Sequence, residues 1–156
     1  MEEKVTIRKA MPSDLDILLQ LEQGVIAAER PFDPTIRENP VSYYDLKSML
    51  INPKALILVA TKDNVIVSCG YALEKDARPY LNHKTYAYLG FMFTLPAFRG
   101  RGINAMIISE LQEWASQNGL KEVRLTVYNN NEPALRAYEK VGFQRHIIEM
   151  RLVRKE

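Results

Sequence analysis

The chain has 156 residues, 47% hydrophobic and 26% charged, a size and composition suited to one globular domain that buries about two thirds of its unfolded surface. With 21 Lys and Arg against 19 Asp and Glu, the net charge is only +2. No basic field points to a nucleic-acid partner, and an anionic ligand has to be held by local geometry.

The single cysteine, Cys69, cannot form an internal disulfide, which fits a reducing cytoplasm. Inside the apolar run Val65 to Leu73 it reads as a small buried side chain. Acidic residues stand where a signal peptide would be apolar, and no apolar run reaches membrane-spanning length. The expectation is a cytoplasmic domain covering 1–156, with no membrane contact.

In chain order, Val5 to Arg8 alternates like a short strand, and Pro12-Ser13-Asp14 supplies helix-start chemistry before Leu15, Leu18, Leu19, Leu21 and Ile26. Pro31, Pro34 and Pro40 break the next stretch, a natural substrate wall, and Tyr43 to Ile51 reads as a second short helix. Ala55 to Ala60 and Val65 to Leu73, joined through Lys62-Asp63-Asn64, read as an antiparallel hairpin interrupted by the charges from Glu74 to Arg78. Thr85 to Leu95 is a strand stopped at Pro96. Ile103, Met106, Ile107, Leu111 and Trp114 follow helical spacing up to Asn118-Gly119, and Val123, Leu125 and Val127 alternate as a strand. Pro133 to Lys140 reads as a helix, and Ile147 to Val153 as a final strand. The order β-α-α-β-β-β-α-β-α-β predicts an α/β (α+β) fold with a mixed sheet flanked by helices.

The chemistry concentrates where the Thr85–Leu95 strand runs through Arg99-Gly100-Arg101-Gly102-Ile103-Asn104 into a helix. Glycines let a ligand approach the backbone, and the first amides of a helix lack internal partners and carry the positive dipole end. A pyrophosphate is the natural occupant. The loop lacks the Lys-Ser/Thr of a P-loop and the glycine spacing of a dinucleotide fingerprint, which disfavours ATP, GTP and NAD. A Gly-x-Gly turn before a helix serves tight packing equally well. A second segment follows, Leu125-Thr126-Val127-Tyr128-Asn129-Asn130-Asn131-Glu132-Pro133-Ala134, then Tyr138-Glu139-Lys140-Val141-Gly142-Phe143. Read alone, Asn131 is a helix cap and Tyr138 a packed aromatic.

Together the two segments resemble the GNAT superfamily of acyl-CoA N-acyltransferases from about Tyr88 to Phe143, with looser agreement in the order of the earlier elements. The resemblance implies a central mixed, mostly antiparallel sheet with about four helices, acetyl-CoA as cosubstrate, no metal, and an amine as acceptor. Arg99, Gly102 and Asn104 match the family's pyrophosphate pattern, Asn104 standing where a small residue is usual; Gly100, Arg101 and Ile103 complete that loop. By the same resemblance Met92, Phe93 and Thr94 offer their backbone to the pantetheine arm, Asn131 contacts the cofactor, and Tyr138 protonates the departing thiolate. A phenol of pKa about 10 suits a thiolate whose own acid has a pKa of about 8.5. The oxyanion would be met by strand amides around Phe93.

The general base is harder to name. The positions where relatives often carry a glutamate hold Tyr88 and Thr126, leaving Glu29, Asp33, His83, Glu149 or a water chain. Tyr43, Tyr80 and Tyr86 are candidates to wall an amine pocket. A non-catalytic acyl-CoA-binding module is the competing reading. Homodimers are common in the superfamily, which allows for one here.

Overall fold

The computed structural model describes residues 4–155. Strand β1 (Thr6–Lys9) leads through a 3-10 turn at Pro12–Asp14 into α1 (Leu15–Glu29). Asp14 fixes this entry: its carboxylate takes two bonds from the Arg8 guanidinium (2.8 and 3.0 Å) and one from the Met11 N–H (2.7 Å). A second 3-10 turn at Arg30–Phe32 opens the proline-broken segment, which contains a cis Asn39–Pro40 bond.

The second helix is shorter than Tyr43 to Ile51. Helix α2 spans only Leu46–Met49, capped by Asp45, whose side chain accepts the Ser48 N–H. The helix starts only after this Asp45 cap, and ahead of it the Tyr43 and Tyr44 amides donate to the Glu22 carboxylate (3.1 and 2.9 Å), tying the non-helical stretch to α1.

Strands β2 (Ala55–Lys62) and β3 (Val65–Asp76) form the expected hairpin. Asp63 and Asn64 both have positive φ, 53° and 63°, the double left-handed conformation that matches a two-residue turn to strand twist. Charges do not end β3 at Leu73: Glu74, Lys75 and Asp76 pair with Ala87, Tyr86 and Thr85 of β4 (Thr85–Thr94). Strand pairing there overrides the polar composition. Helix α3 (Ile103–Gln117) returns to β5 (Val123–Leu125), which pairs parallel with β4. The mixed sheet has the order β1-β2-β3-β4-β5, antiparallel except at β4–β5.

Helices α1 and α3 cover opposite faces of this sheet. A Cβ on Gly24 of α1 would strike the Phe93 ring at 2.6 Å, whereas one on Gly70 of β3 would meet Met92 and Ile107 of α3. Met92 and Phe93 are consecutive strand residues and so point to opposite faces. Leu18, Leu21 and Val25 of α1 join Ile57, Val59, Tyr71 and Phe91 in one core cluster.

The chain divides into two compact units between Thr126 and Val127. The second contains α4 (Glu132–Lys140), capped by Asn131, and an extended tail. The strand expected over Ile147 to Val153 does not form: the segment has no ladder partner among the described residues, and Ile147, Ile148, Met150, Leu152 and Val153 are exposed. Alternation supplies strand propensity, but a strand exists only through bonds to a neighbour.

Candidate active site

Strand β4 carries the site because its pairing changes along its length. Its partnership with β5 covers Ala87, Tyr88 and Leu89 only, so beyond Leu89 that edge has no strand partner among the described residues. On the β3 side the register jumps from Tyr71↔Gly90 to Cys69↔Phe93. Phe91 and Met92 thus oppose Gly70 alone, a β-bulge in which Phe91 is forced to φ +57°. A bulky residue in the left-handed region stores strain, which typically accompanies functional sites.

After the bulge the Leu95 N–H donates to Val67 O of β3 at 2.9 Å. Amide directions alternate along a strand, so the Thr94 and Met92 amides face the open edge and the Phe93 amide faces β3. The oxyanion donor sought around Phe93 is thereby better supplied by its neighbours. Arg99 Nε donates to Thr94 O at 2.9 Å, joining this edge to the loop that follows.

The chain then passes through the 3-10 turn Pro96–Phe98 to Gly100 (φ +77°) and Gly102 (φ +75°) and enters α3. Gly102 is the N-cap and supplies no side-chain bond. The first helical bond runs from the Met106 N–H to Gly102 O, which leaves the Ile103, Asn104 and Ala105 amides without an intrahelical acceptor. A Cβ at either glycine would meet nothing within 4 Å, so the backbone is open to a ligand. Three cations surround it: Arg99 lies 5.4 Å over the Phe93 ring, and Arg101 and Lys62 lie 5.3 and 5.7 Å from the Phe98 ring. Lys62, at the end of β2, carried no motif and is brought here by the hairpin alone. Asn104 Oδ1 is buried with no hydrogen-bond partner among the described residues, a loss of about 1–3 kcal/mol until a donor reaches it. Exposed amides, two open glycines and three cations suit a pyrophosphate.

Met92, Phe93, Thr94, Arg99, Gly100, Arg101, Gly102, Ile103 and Asn104 are thus contiguous within the first unit. Asn131 and Tyr138 belong to the second. There Asn131 Oδ1 accepts the Ala134 N–H at 3.3 Å, and the half-buried Tyr138 stands edge-on to Phe143 with ring centroids 6.1 Å apart.

Tyr88 and Thr126 are engaged with each other, the Tyr88 hydroxyl donating to Thr126 Oγ1 at 2.9 Å. His83 Nε2 lies 2.8 Å from Glu122 Oε1, which also accepts from Arg124 Nε at 2.8 Å. The Arg124 bond, followed by the one with His83, holds the Glu122 carboxyl below the usual glutamate range. Asp33 accepts the Thr35 N–H and hydroxyl, and Glu149 is exposed in the tail. Tyr80 is 74% exposed, its hydroxyl accepting from Arg78 Nη1 at 2.9 Å, and the Arg124 guanidinium lies 4.9 Å from the centre of the Tyr86 ring.

Glu22 escaped sequence reasoning. It is fully buried, 1% exposed, and accepts from the Ser42 hydroxyl and the Tyr43 and Tyr44 amides. Its signal was present: Leu18, Leu21 and Val25 put Glu22 on the apolar face of α1. Tyr44 packs 5.1 Å from Phe91 and 5.5 Å from Tyr71. Burial pushes its hydroxyl far above the ordinary tyrosine range, and burial likewise raises Tyr71 to about 12 and the Cys69 thiol well beyond its usual range. Cys69, fully buried and donating to Phe91 O, is a core residue.

Comparison with known proteins agrees with this geometry. The profile of the acetyltransferase (GNAT) family matches residues 23–143. The N-acetyltransferase YhfO of Bacillus subtilis is 26% identical over 99 residues, 64% of this chain and 65% of that protein. The aminoglycoside N(6')-acetyltransferase type 1 of Salmonella typhimurium is 26% identical over 89 residues, 55% and 60% of the respective chains. The chain spans less than two thirds of the length of these curated relatives. A predicted acetyltransferase from Clostridium acetobutylicum, crystallised with acetyl-CoA, superposes with a TM-score of 0.76 at 21% identity over 96% of both chains, a likeness of fold. With its profile match covering most of its length, the chain belongs to the GNAT acetyltransferase family.

Proposed function

We propose that the protein is an N-acetyltransferase that moves the acetyl group of acetyl-CoA to a primary amine. The observation that carries this reading is the opened edge of β4 leading directly into an uncapped helix N-terminus flanked by Arg99, Arg101 and Lys62. The Ile103, Asn104 and Ala105 amides bind the pyrophosphate, while Gly100 and Gly102 keep the approach free of side chains. The pantetheine arm adds to the β4 edge through Met92 and Thr94, as a peptide adds to a sheet. Phe93 orients that edge by packing on Gly24.

An amine held against the bulge attacks the acetyl carbonyl, and a β4 amide on the open edge stabilises the oxyanion. Collapse breaks the C–S bond, and Tyr138 protonates the thiolate. Asn131, whose side-chain oxygen is used as a cap, offers its amide NH2 to the cofactor. The names of relatives support an amine acceptor, one of them an aminoglycoside. The pairing of Tyr88 with Thr126 where a base is often found favours the second reading, a non-catalytic acyl-CoA-binding module.

Isothermal titration with acetyl-CoA, CoA and ATP, followed by thiol release across amine and peptide panels, separates the two. The enzyme binds both CoA species but not ATP and releases thiol with one amine class. Binding without stimulated release supports the module, and no CoA binding refutes both.

A further inference from the structure

We propose that Glu29 is the catalytic base, taking the proton of the acceptor ammonium in a pocket formed with Tyr43 and Tyr44 against the Phe91 bulge. The assignment rests on the acetyltransferase reading and supplies the proton acceptor that it lacks.

The cluster is assembled from α1. Glu22 and Glu29 are seven residues apart, about two helical turns, and so share a face some 10 Å apart along the axis. Glu22 anchors the Tyr43 and Tyr44 backbone, and Gln23 Nε2 adds a bond to Val41 O at 2.9 Å. From that anchored segment the Tyr43 side chain reaches Glu29 in a hydrogen bond. The neighbouring Tyr44 ring stands edge-on to Tyr43, 5.7 Å away, and packs on Phe91, whose backbone its hydroxyl also engages. One carboxylate, two tyrosines and the strained residue at the opened strand edge are thereby linked in a continuous series of contacts.

Other carboxylates accept bonds from backbone amides, hydroxyls or cations. Glu22 accepts from Ser42, Tyr43 and Tyr44, Asp33 accepts from Thr35, and Glu122 is held by Arg124 and His83. Glu29 is half-buried at the C-terminal end of α1, where helix carbonyls favour a cation or a proton. Burial, more than the Tyr43 bond opposes it, lifts the Glu29 carboxyl above its ordinary range, and the Asp33 charge adds to this. Such a base is closer to neutrality than an exposed glutamate. The tyrosine rings complement an ammonium through their π faces.

The step balances as follows. The ammonium gives one proton to the Glu29 carboxylate, and the freed nitrogen pair forms the C–N bond while the carbonyl pair moves onto oxygen. When that pair returns, the C–S bonding electrons leave with sulfur. The cationic nitrogen of the tetrahedral intermediate gives its second proton to water, the departing thiolate takes one from the acid, which is reprotonated by water, and Glu29 returns its proton to solvent. The groups facing Glu29 are Tyr43 and Tyr44 from the segment before α2 and Asp33 from the turn after α1.

The test compares wild type, Glu29→Gln and Glu29→Asp in thiol release with the responsive amine, as kcat against pH, with CoA titration and thermal melting on the same samples. Glu29→Gln is expected to bind CoA like wild type and to lose about 100-fold in kcat. Wild type shows a kcat that rises with pH through one ionisation; Glu29→Gln lacks that limb, and Glu29→Asp keeps it at an intermediate rate. A wild-type rate or an unchanged acid limb in Glu29→Gln overturns the assignment and leaves the acetyltransferase reading standing. No thiol release by wild type with any amine overturns that reading and the role of Glu29 with it.

Discussion

Replacing Gly102 by alanine separates the loop's contribution to the fold from its contribution to binding. Gly102 sits at φ +75°, ψ 11° with no atom within 4 Å of the added methyl group, so the substitution meets no clash and costs only backbone strain. A left-handed L-residue costs about 1–2 kcal/mol, a loss of about 2–8 °C in Tm for a domain of this size. Binding loses more, because the methyl projects where a pyrophosphate must approach the amides, or the loop relaxes and turns them away. Removing one charge-assisted bond at about 1.5–3 kcal/mol weakens CoA binding by about 10- to 150-fold. Gly119, at φ +70° with equally open space beyond the C-terminal end of α3, is the matched control. Gly119→Ala should lower Tm similarly and leave CoA affinity intact. Calorimetric titration with CoA and thermal melting on both variants decide the matter. Equal CoA affinity for wild type and Gly102→Ala, alongside the expected fall in Tm, would refute the assignment of this loop to the pyrophosphate.

Glu22→Ala leaves the Tyr43 and Tyr44 amides without their acceptor, at about 1–3 kcal/mol for each buried donor; urea unfolding should show a loss of about 2–5 kcal/mol, and an unchanged midpoint would contradict the anchoring role. Tyr138→Phe should reduce turnover about 100-fold while CoA affinity is retained, and unaltered thiol release would remove the tyrosine from the role of acid. The Arg8 hydrogen bonds, which outweigh burial, hold the Asp14 carboxyl below its ordinary 3.8. With the folded pKa below the unfolded one, this contribution is complete above the unfolded value and disappears as pH falls through the folded value. Urea midpoints followed from pH 5 to about pH 2 should therefore fall more steeply for wild type than for Asp14→Asn; parallel curves would show that the Arg8 pair contributes nothing measurable.

Much of the fold was legible because it rests on local rules. The Asp63-Asn64 turn, the β4 run stopped at Pro96 and the α3 stripe ending at Gly119 follow from turn chemistry and periodicity. Boundaries failed where a tertiary bond outcompeted a local one. Glu22 ties the Tyr43–Tyr44 backbone to α1 ahead of the Asp45 cap where α2 starts, the β3–β4 ladder carries charged residues past Leu73, and the apolar alternation after Arg145 has no ladder partner among the described residues.

The sequence by itself determined the order of elements as far as α4 and the glycine-arginine loop between β4 and α3, since each depends on residues adjacent in the chain. Only the tertiary structure decided that β5 pairs with β4 no further than Leu89, that Phe91 is driven into a left-handed bulge opposite Gly70, that Lys62 joins the loop, and that Glu22 anchors the Tyr43–Tyr44 segment whose Tyr44 ring packs on the bulge. The physical reason is that these features come from competition among hydrogen-bond donors and packing surfaces distant in the chain. Such a competition leaves no periodic trace at any one position.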